Sequence, residues 1–157
     1  MKRLAVCPGS FDPVTLGHVD VALRARDLFG ACEVVVMNNS EKSYLFSMKE
    51  RFELCKAAFQ NEKDVRVSCY EGMLYEFLQK KEGAVLVKGV RNEQDFLYEK
   101  NMAAFNFAHC GVETLYLDAK EEYQSLSSTL VREKILKKED LSSFLPADVV
   151  KLLRNKL

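Results

Sequence analysis

Short runs of apolar and β-branched residues recur along this chain, separated by longer stretches with helical spacing. The runs fall at residues 4–7, 33–37, 65–69, 84–87 and 113–117, each of strand length. The segments between them are long enough for crossover helices, which parallel strand pairs require. After Pro13, Val21, Ala22, Ala25, Leu28 and Phe29 mark one helical face, and Gly30 supplies a stop. Ser47-Met48-Lys49-Glu50 has the form of a capping box and predicts a helix with Phe52, Cys55 and Phe59 turned inward. Two more helical stretches are expected at 72–81 and 94–110. The second is apolar on several faces, at Phe96, Met102, Phe105 and Phe107, which suits a helix buried between subunits. Pro146 suits the first turn of a last helix whose Val149, Val150 and Leu153 pack back on the body.

This alternation predicts an α/β fold: a doubly wound, Rossmann-like five-stranded parallel sheet in a single domain spanning 1–157. Such sheets bind ligands at the carboxyl ends of their strands, here the loops 8–16, 38–47, 70–72, 88–92 and 118–128. A length of 157 residues, 48% hydrophobic and 29% charged, is enough for one substantial core. The 23 basic residues balance 23 acidic ones, so no overall field draws nucleic acid or an anionic membrane, and neither is expected as a partner. Charge for binding phosphates has to be local. No apolar run approaches a membrane span, and the start at Met1-Lys2-Arg3 leaves no room for a leader before Pro8, so a cytoplasmic protein is expected. The five cysteines are odd in number and form no CxxC pair. Four sit in apolar segments, which points to buried small hydrophobes in a reducing compartment rather than a disulfide frame or zinc site.

The loop after the first run reads Pro8-Gly9-Ser10-Phe11-Asp12-Pro13-Val14-Thr15-Leu16-Gly17-His18. It is neither GxGxxG nor GxxxxGK[ST], which excludes the usual dinucleotide fingerprint and the P-loop. Thr15 can cap a helix and set Gly17 and His18 in its exposed first turn. Free N–H groups and the positive dipole end make that turn an anion site. Gly17 leaves room for a nucleotide, His18 can aim a ring donor at a phosphate oxygen, and Ser10 offers a facing hydroxyl. Capping and turn chemistry account for the same residues without a ligand. Further on, Gln124-Ser125-Leu126-Ser127-Ser128-Thr129-Leu130-Val131-Arg132 carries more hydroxyls than one cap uses, and the surplus suits a phosphate. Lys88-Gly89-Val90-Arg91 follows the fourth run and Lys42 the second. Each alone reads as a solvated turn; together they place cations and hydroxyls at four strand ends.

The string GSFDPVTLGH resembles the signature of the nucleotidyltransferase superfamily, with Thr15-Leu16-Gly17-His18 matching its H/T-x-G-H element and Ser127-Ser128-Thr129-Leu130-Val131-Arg132 its SSTxVR element. The whole length, including KGVRNEQDFLYE and the late SSFLP, resembles the phosphopantetheine adenylyltransferase family. That resemblance implies an enzyme moving AMP from ATP to 4′-phosphopantetheine, with Mg²⁺ accompanying the ATP and six copies assembled as a homohexamer. It implies that His18 and Lys42 stabilise the reacting phosphorus and that Ser10 and Phe11 border ATP, Ser10 also reaching the acceptor. Lys42, Leu74 and Lys88 would line the acceptor side. Gly89, Val90, Arg91, Glu99, Tyr123, Gln124, Ser125, Leu126, Ser127, Ser128 and Thr129 would line the ATP side. Ser10 stands where Thr is common, Leu74 where another apolar residue occurs, and Lys88 where Arg is usual, which removes a bidentate fork. A sister enzyme acting on nicotinate mononucleotide or transferring cytidylate, and a non-enzymatic nucleotide- or RNA-binding module, are the rival readings.

Overall fold

The structure, a computed structural model, describes residues 3–156; Met1 and Lys2, which entered the reading of the N-terminus, and Leu157 lie outside them. Five strands form: β1 (Leu4–Gly9), β2 (Cys32–Met37), β3 (Val65–Tyr70), β4 (Ala84–Val90) and β5 (Thr114–Asp118). All pair in parallel, in the order β3-β2-β1-β4-β5. Each expected run is a strand, but β1 runs on through Pro8-Gly9 and β4 through Lys88-Gly89-Val90. Polar and turn-forming residues at the strand ends hid those extensions from the hydrophobic pattern.

Six α-helices cross between and beyond the strands: α1 (Leu16–Phe29), α2 (Met48–Phe59), α3 (Leu74–Gln79), α4 (Glu93–Cys110), α5 (Ser128–Leu136) and α6 (Ala147–Lys156). Alternate strand residues face opposite layers. Ala5 and Cys7 of β1 join Val34, Val36 and Val87 in a core that α1, α2, α5 and α6 cover. Val6, Val35 and Leu86 point the other way, onto Phe77 and Leu78 of α3 with Cys110 at the end of α4. The sheet is doubly wound, as the alternation of elements predicts. Each fully buried Val or Leu contributes about 1.5–3 kcal/mol of transfer free energy, so the first and larger core carries most of the stability.

The helix faces depart from expectation in detail. In α1, Ala22 and Ala25 are buried, but Leu28 is 65% exposed, lying past the stripe that meets the sheet. In α2 the capping box forms, with Glu50 N–H on Ser47 Oγ at 3.1 Å and Glu50 Oε1 accepting from Ser47 N–H at 3.0 Å. Its buried stripe is Arg51, Leu54, Cys55 and Phe59, while Phe52 is only half-buried. Helix α3 is shorter than the expected 72–81, because Gly72 sits at φ +133°, outside helical space. Pro146 lies just before α6 and its carbonyl accepts from the N–H groups of Val149 and Val150, both at 3.0 Å. Val149, Val150 and Leu153 are buried as expected.

Of the cysteines, Cys7, Cys32 and Cys55 are buried, Cys110 is half-buried and Cys69 is exposed. Far apart in sequence, Cys7 and Cys32 meet across β1 and β2 with their Sγ atoms 3.4 Å apart. The contact with Cys7, together with burial, pushes the Cys32 thiol up, and burial does the same to Cys55. Both stay protonated and pack as small hydrophobes. No helix among the described residues is long and apolar enough to cross a membrane.

Candidate active site

Chain direction across the sheet reverses between β1 and β4, the switch point where open α/β sheets leave a crevice. Pairing between these strands stops at Val6↔Leu86, although both continue further. Pro8 brings no N–H to a ladder, and beyond Val6 the strands part. The resulting cleft has a volume of about 1060 Å³, room for more than one small ligand. It collects the loops after β1, β2 and β4, the start of α3, part of α4 and the start of α5.

Helix α1 opens at the floor of this cleft. Thr15 is its N-cap and accepts from the His18 N–H at 3.3 Å, while the Thr15 N–H donates to Nδ1 of His18 at 3.0 Å. Nδ1 therefore carries a lone pair, the ring proton sits on Nε2, and Nε2 is the donor left for a ligand. Burial, then the nearby Lys88 and Arg91 charges, lower the His18 pKa from 6.5 to about 4, so the ring is neutral at pH 7. Phe11, buried and at φ +51°, packs its ring edge-on to the imidazole at 5.0 Å. His18 thus serves as cap and as presented donor together, half-buried rather than in an exposed turn.

Around it the cations are tethered by neighbours. Lys88 Nζ lies 3.3 Å from Glu99 Oε2, both partly exposed to the cleft. Arg91 is gripped by Asp95, Nε to Oδ2 at 2.9 Å and Nη2 to Oδ1 at 3.3 Å, and its Nη1 reaches the Leu126 carbonyl at 3.5 Å. Arg132 donates to the Asp12 carbonyl at 2.9 Å and to Thr129 Oγ1 at 3.0 Å. Lys42 is exposed on the loop after β2. Asp12, buried, fastens that loop by accepting from the N–H groups of Leu45 and Phe46 at 2.9 and 3.0 Å. Gly89 is required by its neighbour: an added Cβ would lie 2.6 Å from Val21 Cγ2.

Of the residues singled out by sequence, Ser10, Phe11, His18, Lys42, Leu74, Lys88, Gly89, Arg91, Glu99, Tyr123, Leu126, Ser127, Ser128 and Thr129 all line the cleft. Val90 is buried in the sheet, and Gln124 and Ser125 are exposed outside the lining. The hydroxyl surplus is smaller than it looked: Ser127 caps α5 by accepting from Leu130 N–H at 3.1 Å, and Ser128 donates to the Pro13 carbonyl at 2.9 Å. Asp12, Tyr44, Asp95, Asn106 and Arg132 also line the cleft and were not singled out. Asp95 had a local signal, four residues after Arg91 and three after the cap Asn92.

A doubly wound sheet with a helix N-terminus, a neutral histidine donor and three tethered cations at its switch point has the make-up of a nucleotidyltransferase. The cytidylyltransferase-like family matches residues 6–134. Phosphopantetheine adenylyltransferase from Streptomyces coelicolor is 40% identical over 155 residues, 99% of this chain and 98% of its own. That from Alkaliphilus metalliredigens is 37% identical over 98% of this chain and 99% of its own, and that from Limosilactobacillus reuteri 40% over 99% and 90%. The chain belongs to the phosphopantetheine adenylyltransferase family. A solved structure provisionally assigned as a nicotinate-nucleotide adenylyltransferase from Vibrio parahaemolyticus overlays with a TM-score of 0.68, covering 98% of this chain and 99% of its own. At 19% identity it shares the fold alone.

Proposed function

We propose that this enzyme transfers AMP from ATP to 4′-phosphopantetheine, yielding dephospho-coenzyme A and pyrophosphate. The observation that carries the reading is the neutral His18, its Nε2–H free in the first turn of α1 and flanked by Lys88 and Arg91. An oxygen of the acceptor phosphate attacks the α-phosphorus of ATP, and the bond from that phosphorus to the bridging oxygen of pyrophosphate breaks. The attacking oxygen is already anionic, so no general base is needed. The chain's contribution is orientation and charge stabilisation. His18 and Lys42 donate to the oxygens that gain charge. Ser10 and Phe11, Gly89, Arg91 and the residues Tyr123, Leu126, Ser127, Ser128 and Thr129 hold ATP, with the α1 N-terminus facing its phosphates. Lys42, Leu74 and Lys88 hold the acceptor. Glu99, assigned to the ATP side, is ion-paired to Lys88, so the two substrate sides meet at that pair.

Mg²⁺ accompanying the ATP would supply neutralisation of its phosphate charge. Among the described residues no three His, Cys, Asp or Glu side chains converge. We also propose a homohexamer working in the cytoplasm. Helix α4 supports assembly: Asn106 is its one buried residue, and Leu97, Tyr98, Met102 and Phe107 are between 44% and 59% exposed. The free cysteines suit a reducing compartment. Pyrophosphate release with ATP, Mg²⁺ and each candidate acceptor tests the reaction. Formation that depends on phosphopantetheine is expected; an enzyme active on nicotinate mononucleotide and inert with phosphopantetheine would refute it.

A further inference from the structure

Arg51 is 1% exposed, in the first turn of α2, and no carboxylate oxygen among the described residues lies within 4.0 Å of it. Its surroundings are neutral oxygens. Nε donates to the Phe46 carbonyl at 3.1 Å, Nη1 to the carbonyls of Ser10 at 2.8 Å and Met37 at 3.0 Å, and Nη2 to Asn38 Oδ1. The guanidinium carbon stands 4.0 Å over the Tyr44 ring. Burying an unpaired cation is costly, and the start of a helix is the dipole end that repels it. A packed Leu or Met would fill that space at lower cost, so fold stability alone does not account for the residue.

What the fork joins is specific to the cleft. It ties the loop after β1, at Ser10, to the end of β2 and both ends of the loop 38–46 that carries Lys42. Tyr44, held beneath it, contacts Ser10 Oγ at 3.2 Å and accepts from the Asn39 N–H at 2.6 Å. We infer that Arg51 is a positioning residue, setting the loop 38–46 against the loop after β1 so that Lys42 and Ser10 face one reacting phosphate. The inference rests on the reaction proposed above and deepens it. Planarity is the point: five donors in a rigid fork can bind carbonyls from three chain segments at once, which a lysine cannot.

The test is a double-mutant cycle between Arg51→Lys and Lys42→Ala, read as kcat and both KM values in pyrophosphate release. With Lys42 present, Arg51→Lys should lower kcat about tenfold or more and leave the KM for ATP within about twofold. In the Lys42→Ala background it should cost less than about twofold, because the group being positioned is gone. Equal losses in both backgrounds, or a loss confined to the KM for ATP, would overturn the inference. Should Arg51→Lys show no cooperative unfolding, Tyr44→Phe in the same cycle decides by the same criterion. Amide exchange gives a reading independent of the acceptor. Arg51→Lys, or Tyr44→Phe in its place, should speed the Leu45 and Phe46 amides about tenfold relative to those of β2. Uniform acceleration across the chain would mean a purely structural role. A wild-type enzyme inert with phosphopantetheine, together with this selective exchange in the variant, would refute the acceptor while leaving the positioning intact.

Discussion

The Thr15 N–H that reaches Nδ1 of His18 at 3.0 Å does more than start a helix, since it also decides which ring nitrogen carries the proton. His18→Ala should lower kcat by about 10²–10³, the cost of one transition-state donor, and also lose a cap worth about 0.5–2 kcal/mol. His18→Gln can restore the cap from the same helix position, so its melting temperature should recover while kcat stays low. Ring titration by NMR, assigned with a His109→Gln variant, should give His18 a midpoint near 4. The unfolded ring binds its proton at about 6.5 and the folded ring at about 4, so stability should fall as pH drops through that window. That part of the slope should vanish in His18→Gln. Lys88 poses a separate question because it is paired with Glu99. Lys88→Ala removes the cation and leaves that carboxylate turned toward an anionic substrate. The KM for phosphopantetheine should rise and kcat/KM fall by about one to two decades, the KM for ATP moving far less because Arg91 remains. Lys88→Arg should stay active. Loss confined to ATP, in separate substrate titrations, would reassign the residue.

Helix starts are the elements where fold and chemistry separate most cleanly. At Gly17 an added Cβ would meet Thr15 Oγ1 at 3.5 Å and Tyr123 Cβ at 3.7 Å, ordinary contacts. Gly17→Ala should therefore fold, with a gain of up to about 1 kcal/mol from the stiffer helix, yet raise the KM for ATP if the nucleotide passes over that residue. Thermal unfolding beside steady-state kinetics would show the two effects moving apart. Most elements were legible because local pattern determines them: β-branched runs became strands, and Thr15, Ser47 and Gly30 became caps. What local pattern cannot carry is contact across the chain. Asp12 reads as turn chemistry until it meets the amides of Leu45 and Phe46, 33 and 34 residues on. Arg51 carries no local sign of its role, since its acceptors include Ser10, 41 residues back. The same blindness ran the other way at Ser127 and Ser128. Their hydroxyls looked free for phosphate until the Leu130 amide and Pro13 carbonyl appeared beside them.

Across the molecule the two faces of the sheet are unequally covered. Helices α1, α2, α5 and α6 crowd one side, whereas α3 is short and α4 leaves most of its aromatic and aliphatic side chains exposed. Burying that helix against further copies would complete the second layer. Sedimentation at micromolar concentration should show a species well above 17.9 kDa, and Phe107→Glu, charging a half-exposed ring, should shift it toward the single chain. A wild type sedimenting only as a monomer would contradict the assembly.

The loop after β1 is fastened from the far end of the chain. Ser128 donates to Pro13 and Arg132 to Asp12, across 115 and 120 residues, and the Leu16 N–H reaches the Phe144 carbonyl. Ribosomal synthesis delivers these partners late, long after β1 and α1 have emerged. A nascent chain that reaches past α2 but ends before α5 holds the histidine, Lys42 and the Asp12 and Arg51 contacts, but lacks the bonds that Ser128, Arg132 and Phe144 bring to the loop after β1. The loop that presents the histidine is therefore completed only as the last quarter of the chain arrives, which ties the shape of the site to the end of synthesis.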